Sequence, residues 1–187
     1  DLLLQVDANT AYTRDDFDLL KRLDEFNLLL IEQPINEEDI LGHAKLANYI
    51  DTPVCLDESI ISADIARDAI ELGAAEIINI KPSRVGGYIE SKKIHDVAQS
   101  KNIPVWCGGM LETGIGRAAN LALAALPNFT LPGDTSASSR YFATDVTEPF
   151  VLVDGHIDVP TGPGIGVDPI PEIVDRFAVS REWVKAN

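Results

Sequence analysis

Ile77-Ile78-Asn79-Ile80-Lys81 decides the fold: a short, mostly β-branched run that ends abruptly on a charge. A strand buried on both faces, as in a parallel sheet covered by helices, reads as such a near-continuous apolar run. Working backwards, Val54-Cys55-Leu56-Asp57, Leu28-Leu29-Leu30-Ile31-Glu32 and Leu2-Leu3-Leu4-Gln5-Val6-Asp7 repeat the pattern. The terminal charges Asp7, Glu32, Asp57 and Lys81 follow one another at intervals of 25, 25 and 24 residues. Such an interval holds one strand and the crossover helix that parallel strands require. The ends of successive strands share one rim of a parallel barrel, the rim where barrel enzymes carry their chemistry.

Working forwards, Ile103-Pro104-Val105-Trp106-Cys107 and Phe129-Thr130-Leu131 extend the series. The fold class expected is α/β, a TIM-like (β/α) barrel with six of its strand-helix units present. Helical periodicity fills the intervals. Thr13 and Asp16 resemble a capping box ahead of Phe17, Leu20 and Leu23. Glu37 to Ile50 carries Ile40, Leu41, Ala44, Ala47 and Ile50 on one face. Ser62 opens a helix that stops at Gly73, and further helices are expected over 87–101 and 117–126. From about Tyr141 the pattern changes. Residues 150–159 read as a hairpin about Asp154-Gly155, Pro160 to Pro171 as a loop, and Glu172 to Lys185 as a last helix. The division expected is residues 1–140 as a partial barrel bearing the site and 141–187 as a C-terminal extension. A closed barrel has eight strands, so the chain reads as the C-terminal part of a longer protein.

Fifteen basic against thirty acidic residues give a formal charge of −15, which argues against binding a phosphate backbone. No apolar stretch approaches the roughly 20 residues that cross a bilayer. Cys55 and Cys107 sit in apolar runs and read as small buried thiols. With no charged-then-apolar leader at the N-terminus, a cytoplasmic enzyme is expected.

Asp7, Glu32 and Asp57 supply hard oxygen donors, which suit Mg²⁺. Any one of them alone serves equally as a cap or a turn; three at matched spacing point to a divalent cation. Lys81 has three readings: an ion pair with Asp57 or Glu58, a proton carrier with a lowered pKa, or a Schiff-base amine. Gly108 to Arg117 follows a strand, and its glycines let backbone amides approach a ligand. Pro132-Gly133-Asp134 is a weaker signal of the same kind. His43, His95 and His156 lack ligand spacing and read as packing or surface residues. Gly162-Pro163-Gly164-Ile165-Gly166 is followed by no Lys-Ser or Lys-Thr, so it makes a poor phosphate loop.

Val6-Asp7-Ala8-Asn9, Ile31-Glu32-Gln33-Pro34, Leu56-Asp57-Glu58-Ser59, Asn79-Ile80-Lys81 and Gly108 to Arg117 together resemble the barrel domain of the enolase superfamily. Within it the likeness is to the o-succinylbenzoate synthase and N-succinylamino acid racemase group. The resemblance implies that Asp7, Glu32 and Asp57 bind Mg²⁺, with Mn²⁺ or Co²⁺ able to substitute. It implies that the metal stabilises the enediolate left when an α-proton departs. Lys81 would be catalytic, facing a second lysine from a Lys-x-Lys motif that does not occur before Asp7. Asn9, Asn79, Gly109 and Met110 would touch substrate, and Glu58 and Asp134 would support the ligands from behind. The activity implied is dehydration of a succinyl-cyclohexadiene carboxylate in menaquinone biosynthesis, or racemisation of N-succinylamino acids at the same site. A small carboxylate partner and a homo-oligomer are expected with it. A Schiff-base aldolase and a non-catalytic barrel remnant are the competing classes.

Overall fold

The computed structural model describes residues 2–184. Five parallel strands, β1 (Gln5–Asp7), β2 (Leu30–Glu32), β3 (Val54–Leu56), β4 (Ile77–Ile80) and β5 (Val105–Cys107), pair in chain order. Asp7 lies level with Glu32, Glu32 with Cys55, Leu56 with Ile78, and Ile80 with Cys107. The sheet is about half a barrel of the expected kind.

The helices between the strands are α1 (Phe17–Lys21), α2 (Ile40–Ala47), α3 (Ala63–Glu71), α4 (Pro82–Val85) and α5 (Tyr88–Ser100). Ser62 caps α3 by accepting from the Ile65 amide, and Gly73 leaves it at φ +70°, the left-handed geometry glycine tolerates. Ala63, Ala66 and Ala69 are buried along one face of α3, which packs against α5 and its buried Ser91, Ile94, His95 and Ala98. Ile94 is wholly buried; removing a side chain of that size from water stabilises by about 1.5–3 kcal/mol.

Side chains alternate across a strand, and this places the site. Leu30, Cys55, Ile77 and Trp106 form one buried cluster, with Leu29 and Leu131 against it. Two residues further along their strands, on the same face, stand Glu32, Asp57, Asn79 and Gly108. A polar rim is thus laid on an apolar floor. Within that floor the Trp106 indole donates to Cys55 Sγ at 3.4 Å, and Cys55 and Cys107 are both buried as thiols.

The chain forms two compact units among the described residues: the part up to Gly108 with Leu126–Asp134, and Gly109–Ala125 with the part from Thr135 onward. The second holds α6 (Gly114–Ala124) and α7 (Pro171–Phe177). Its buried Asp145 accepts from the Gly114 amide and from the Ser138 hydroxyl.

Several expectations need correction. The sixth strand is absent: Phe129 makes one isolated parallel bridge to Val105, and Thr130 N turns back to Asn128 O before Pro132. The hairpin over 150–159 reduces to one antiparallel bridge, Val153 to His156, about Asp154 at φ +48° and Gly155 at φ +79°. The Thr13–Asp16 capping box forms, but the helix after it is a short α1 between 3₁₀ turns at Arg14–Asp16 and Arg22–Phe26. The helix expected from Glu37 starts at Ile40, because Asp39 caps it. The last helix ends at Phe177, where Ala178 is extended; Lys185, the end expected for it, lies outside the described residues. Among the described residues no helix is long and apolar enough to cross a membrane.

Candidate active site

Where β2, β3 and β4 end, the first unit buries several polar residues, Glu32, Gln33, Asp57 and Asn79 among them. A buried carboxylate needs compensation, and each one here has a named partner. Asn79 Nδ2 donates to Glu32 Oε1 at 2.7 Å, while its Oδ1 accepts from Gly108 N at 2.8 Å. Lys81 Nζ donates to Asp57 Oδ2 at 2.7 Å, and Arg84 Nη2 reaches the same oxygen at 3.1 Å. Asp7, at the exposed end of β1, accepts from Asn9 N at 2.9 Å, and Asn9 itself has φ +44°.

The electrostatics follow from burial and crowding. Burial pushes the Glu32 carboxyl up to about 7; the Asn79 hydrogen bond opposes this, and the charges of Asp7 and Asp57 add to it. Burial likewise raises Glu58, with the charge of Asp57 adding. Burial draws the Lys81 ammonium down, but the hydrogen bond and charge of Asp57, with the charge of Glu32, outweigh it and leave the pKa raised. Of the three readings of Lys81, the geometry therefore displays the ion pair with Asp57, and the amine is held as a cation.

Two buried carboxylate oxygens, Asp57 Oδ1 and Glu58 Oε2, accept no hydrogen bond from the protein. Among the described residues no three His, Cys, Asp or Glu side chains stand in a shared ligand geometry. One oxygen of each candidate carboxylate is turned to a protein donor: Asp7 to Asn9, Glu32 to Asn79, Asp57 to the two cations. The donor set nevertheless fits a hard divalent ion. It offers oxygen only, an orphaned buried acceptor on Asp57, and three carboxylates close enough for Asp7 and Asp57 to raise the pKa of Glu32.

The other sequence candidates fall in different places. Asn79 is spent on Glu32 and Gly108, and Asn9 is exposed. Gly109 and Met110 open the second unit, where Met110 N donates to Glu112 Oε2 at 2.8 Å. Asp134 closes the first unit, its amide donating to Cys107 O at 3.1 Å. His43 and His95 are buried packing residues and His156 is exposed. Sequence reasoning overlooked Arg84 and Gln33. Pro82, a helix-starting residue just after Lys81, is the signal that brings Arg84 back one turn later.

Comparison with known proteins agrees with the parallel α/β fold. Residues 1–173 match the family model described as enolase C-terminal domain-like. An N-succinylamino acid racemase of Amycolatopsis sp. is 67% identical over 98% of this chain and 50% of its own length. An o-succinylbenzoate synthase of Geobacillus stearothermophilus is 56% identical over 97% of this chain and 47% of its own length. The chain thus spans about half the length of the curated relatives it matches. A solved enolase superfamily member from Listeria innocua superposes with a TM-score of 0.91 at 46% identity, over 96% of this chain and 48% of that one. The substrate-liganded L-Ala-D/L-Glu epimerase of Bacillus subtilis gives 0.80 at 29% identity, over 89% and 47%. By sequence match and fold, the chain belongs to the enolase C-terminal domain-like family.

Proposed function

We propose that the polypeptide carrying this chain is a Mg²⁺-dependent o-succinylbenzoate synthase. The observation that carries the reading is the buried Asp57 carboxylate, holding Lys81 as a cation on the rim that also presents Glu32. Asp7, Glu32 and Asp57 would hold the ion. Bound there, it would supply positive charge to a substrate carboxylate and make the neighbouring α-proton removable.

The chain's own residues account for the rest. Asn79 and Gly108 fix Glu32, so its oxygens need little reorganisation when a cation arrives. Lys81, kept protonated beside Asp57, is suited to stabilising the anion left by proton removal. The second lysine that the resemblance implies would take the α-proton and return it to the departing hydroxyl, which leaves as water while the ring double bond forms. The apolar floor of Leu30, Cys55, Ile77 and Trp106 keeps water from beneath the site and strengthens each charge interaction above it. In this reading residues 1–140 carry the site and 141–187 form the extension.

Racemisation of N-succinylamino acids is the second reading, favoured by the 67% identity to a racemase. It requires Lys81 to give up its proton, which becomes easier once the negative charge of Asp57 is engaged elsewhere. One experiment tests both: the full-length polypeptide with Mg²⁺, assayed for o-succinylbenzoate formation and for α-proton exchange of an N-succinylamino acid in D₂O. Dehydration that chelator abolishes supports the synthase. Exchange alone assigns the racemase, and activity unchanged by chelator or by Asp57→Asn overturns the metal reading.

A further inference from the structure

Gln33 is wholly buried and has φ +36°, a left-handed conformation that strains a non-glycine residue. Such strain persists only where the surroundings over-determine it, and the hydrogen bonds of Gln33 show what does so. Its amide N–H donates to Cys55 O at 2.9 Å, the last rung between β2 and β3. Its carbonyl accepts from Thr10 N at 2.8 Å, in the loop that follows Asp7. Its side-chain Oε1 accepts from Asp57 N at 3.0 Å and Ser59 N at 3.2 Å. One residue therefore grips the backbone beside all three candidate metal ligands: Asp7 through Thr10, Glu32 as its chain neighbour, and Asp57 directly.

The orientation of the amide is fixed. Gln33 Nε2 donates to Ser59 Oγ at 2.8 Å and faces Ile35 O at 3.3 Å, an acceptor only. It also faces His43 Nε2 at 3.4 Å, and His43 Nδ1 lies 2.9 Å from Asp39 O. A carbonyl accepts only, so Nδ1 carries the proton and Nε2 is the acceptor. A reversed amide would set Nε2–H₂ against two backbone N–H groups. Where the ladder stops, the side chain of Gln33 thus supplies a further rung, turning β2 away at Pro34 without releasing the end of β3.

We infer that Gln33 is the positioning residue that sets the spacing of the three carboxylates, acting through the backbone and touching no substrate. The inference rests on the metal reading above. Groups that orient metal ligands typically cost about ten- to a hundredfold in metal affinity when lost. The test is Mn²⁺ binding, followed by the EPR signal of the free ion, with metal-free thermal melting in parallel on the full-length polypeptide. Gln33→Met removes the amide at similar length. Gln33→Gly removes it while accepting φ +36° without strain, and so guards against a folding defect. Leu46→Ala, in buried α2 packing, is the comparison for stability loss alone. The expected result is Mn²⁺ affinity lower by about ten- to a hundredfold in both Gln33 variants, with Leu46→Ala binding like the parent despite its lower melting temperature. Unchanged affinity in the Gln33 variants, or an equal loss in Leu46→Ala, overturns the inference and leaves the metal site standing. A parent protein that binds no Mn²⁺ overturns the metal reading itself.

Discussion

Asn79 donates to Glu32 across 2.7 Å, joining the end of β2 to the end of β4 over β3, which lies between them. The bond gives a fully buried carboxylate its protein donor, and the other end of the same amide is taken by Gly108 N. Asn79→Leu therefore strands Glu32. The expected outcome is a loss of about 1–3 kcal/mol of stability and a Glu32 pKa above the present value of about 7. Urea unfolding and a carboxyl-carbon NMR titration of the metal-free protein measure the two effects. A Glu32 that titrates as before would show that the bond does not tune it.

Gly108 has no room for a side chain. A Cβ there would lie 2.5 Å from both Asn79 Oδ1 and Lys81 Cε. Gly108→Ala must push both of them aside. Overpacking of this kind costs about 1–3 kcal/mol, and misplacing a reacting group by about 1 Å costs about a hundredfold in rate. Steady-state kinetics should show the loss mainly in kcat, with the fold retained by circular dichroism.

Asp57 serves two cations, and they affect each other through it. The charge of Arg84 pulls the Lys81 pKa down, whereas Asp57 raises it. Arg84→Met should move Lys81 upward and Asp57→Asn should move it downward. Titration of the ¹⁵N-labelled lysine ammonium in metal-free protein checks both signs, and shifts in one common direction would refute the assignment.

His43 makes the fold sensitive to mild acid. Burial lowers its pKa below 6.5, with the hydrogen bond to Asp39 opposing. As pH falls through 6.5 the unfolded chain takes up a proton that the folded chain refuses, so stability drops. Above 6.5 both states are neutral and the effect vanishes. Glu32 acts in the opposite sense, since its raised carboxyl binds a proton in the folded state first. That contribution cancels when the parent is compared with His43→Gln. The variant should lose less stability than the parent between pH 7 and pH 5 in urea unfolding midpoints.

The residues explain which parts of the molecule were legible. The runs ending at Glu32, Asp57 and Lys81 announced themselves because strands buried on both faces tolerate only apolar side chains. Phe129-Thr130-Leu131 has the same composition, but Pro132 and the turn at Asn128 leave one bridge, and composition does not encode that. Asp154-Gly155 named its turn correctly, yet a turn residue cannot guarantee strands on either side. Gln33 was hidden for a different reason. Glutamine has no preference for a positive φ, so its strained backbone and its grip on two neighbouring loops arise from tertiary context alone.

The parallel pairing of β1, β2 and β3 has a kinetic consequence. Every rung joins segments about one strand-helix unit apart, so the chain must close long loops before any two of Asp7, Glu32 and Asp57 come together. Topologies dominated by such non-local pairings fold slowly. On the metal reading proposed above, a divalent ion would have nothing to grip until three units are in register. It should leave the refolding rate nearly unchanged and slow unfolding, so that metal acts as a latch on the finished fold rather than as its nucleus.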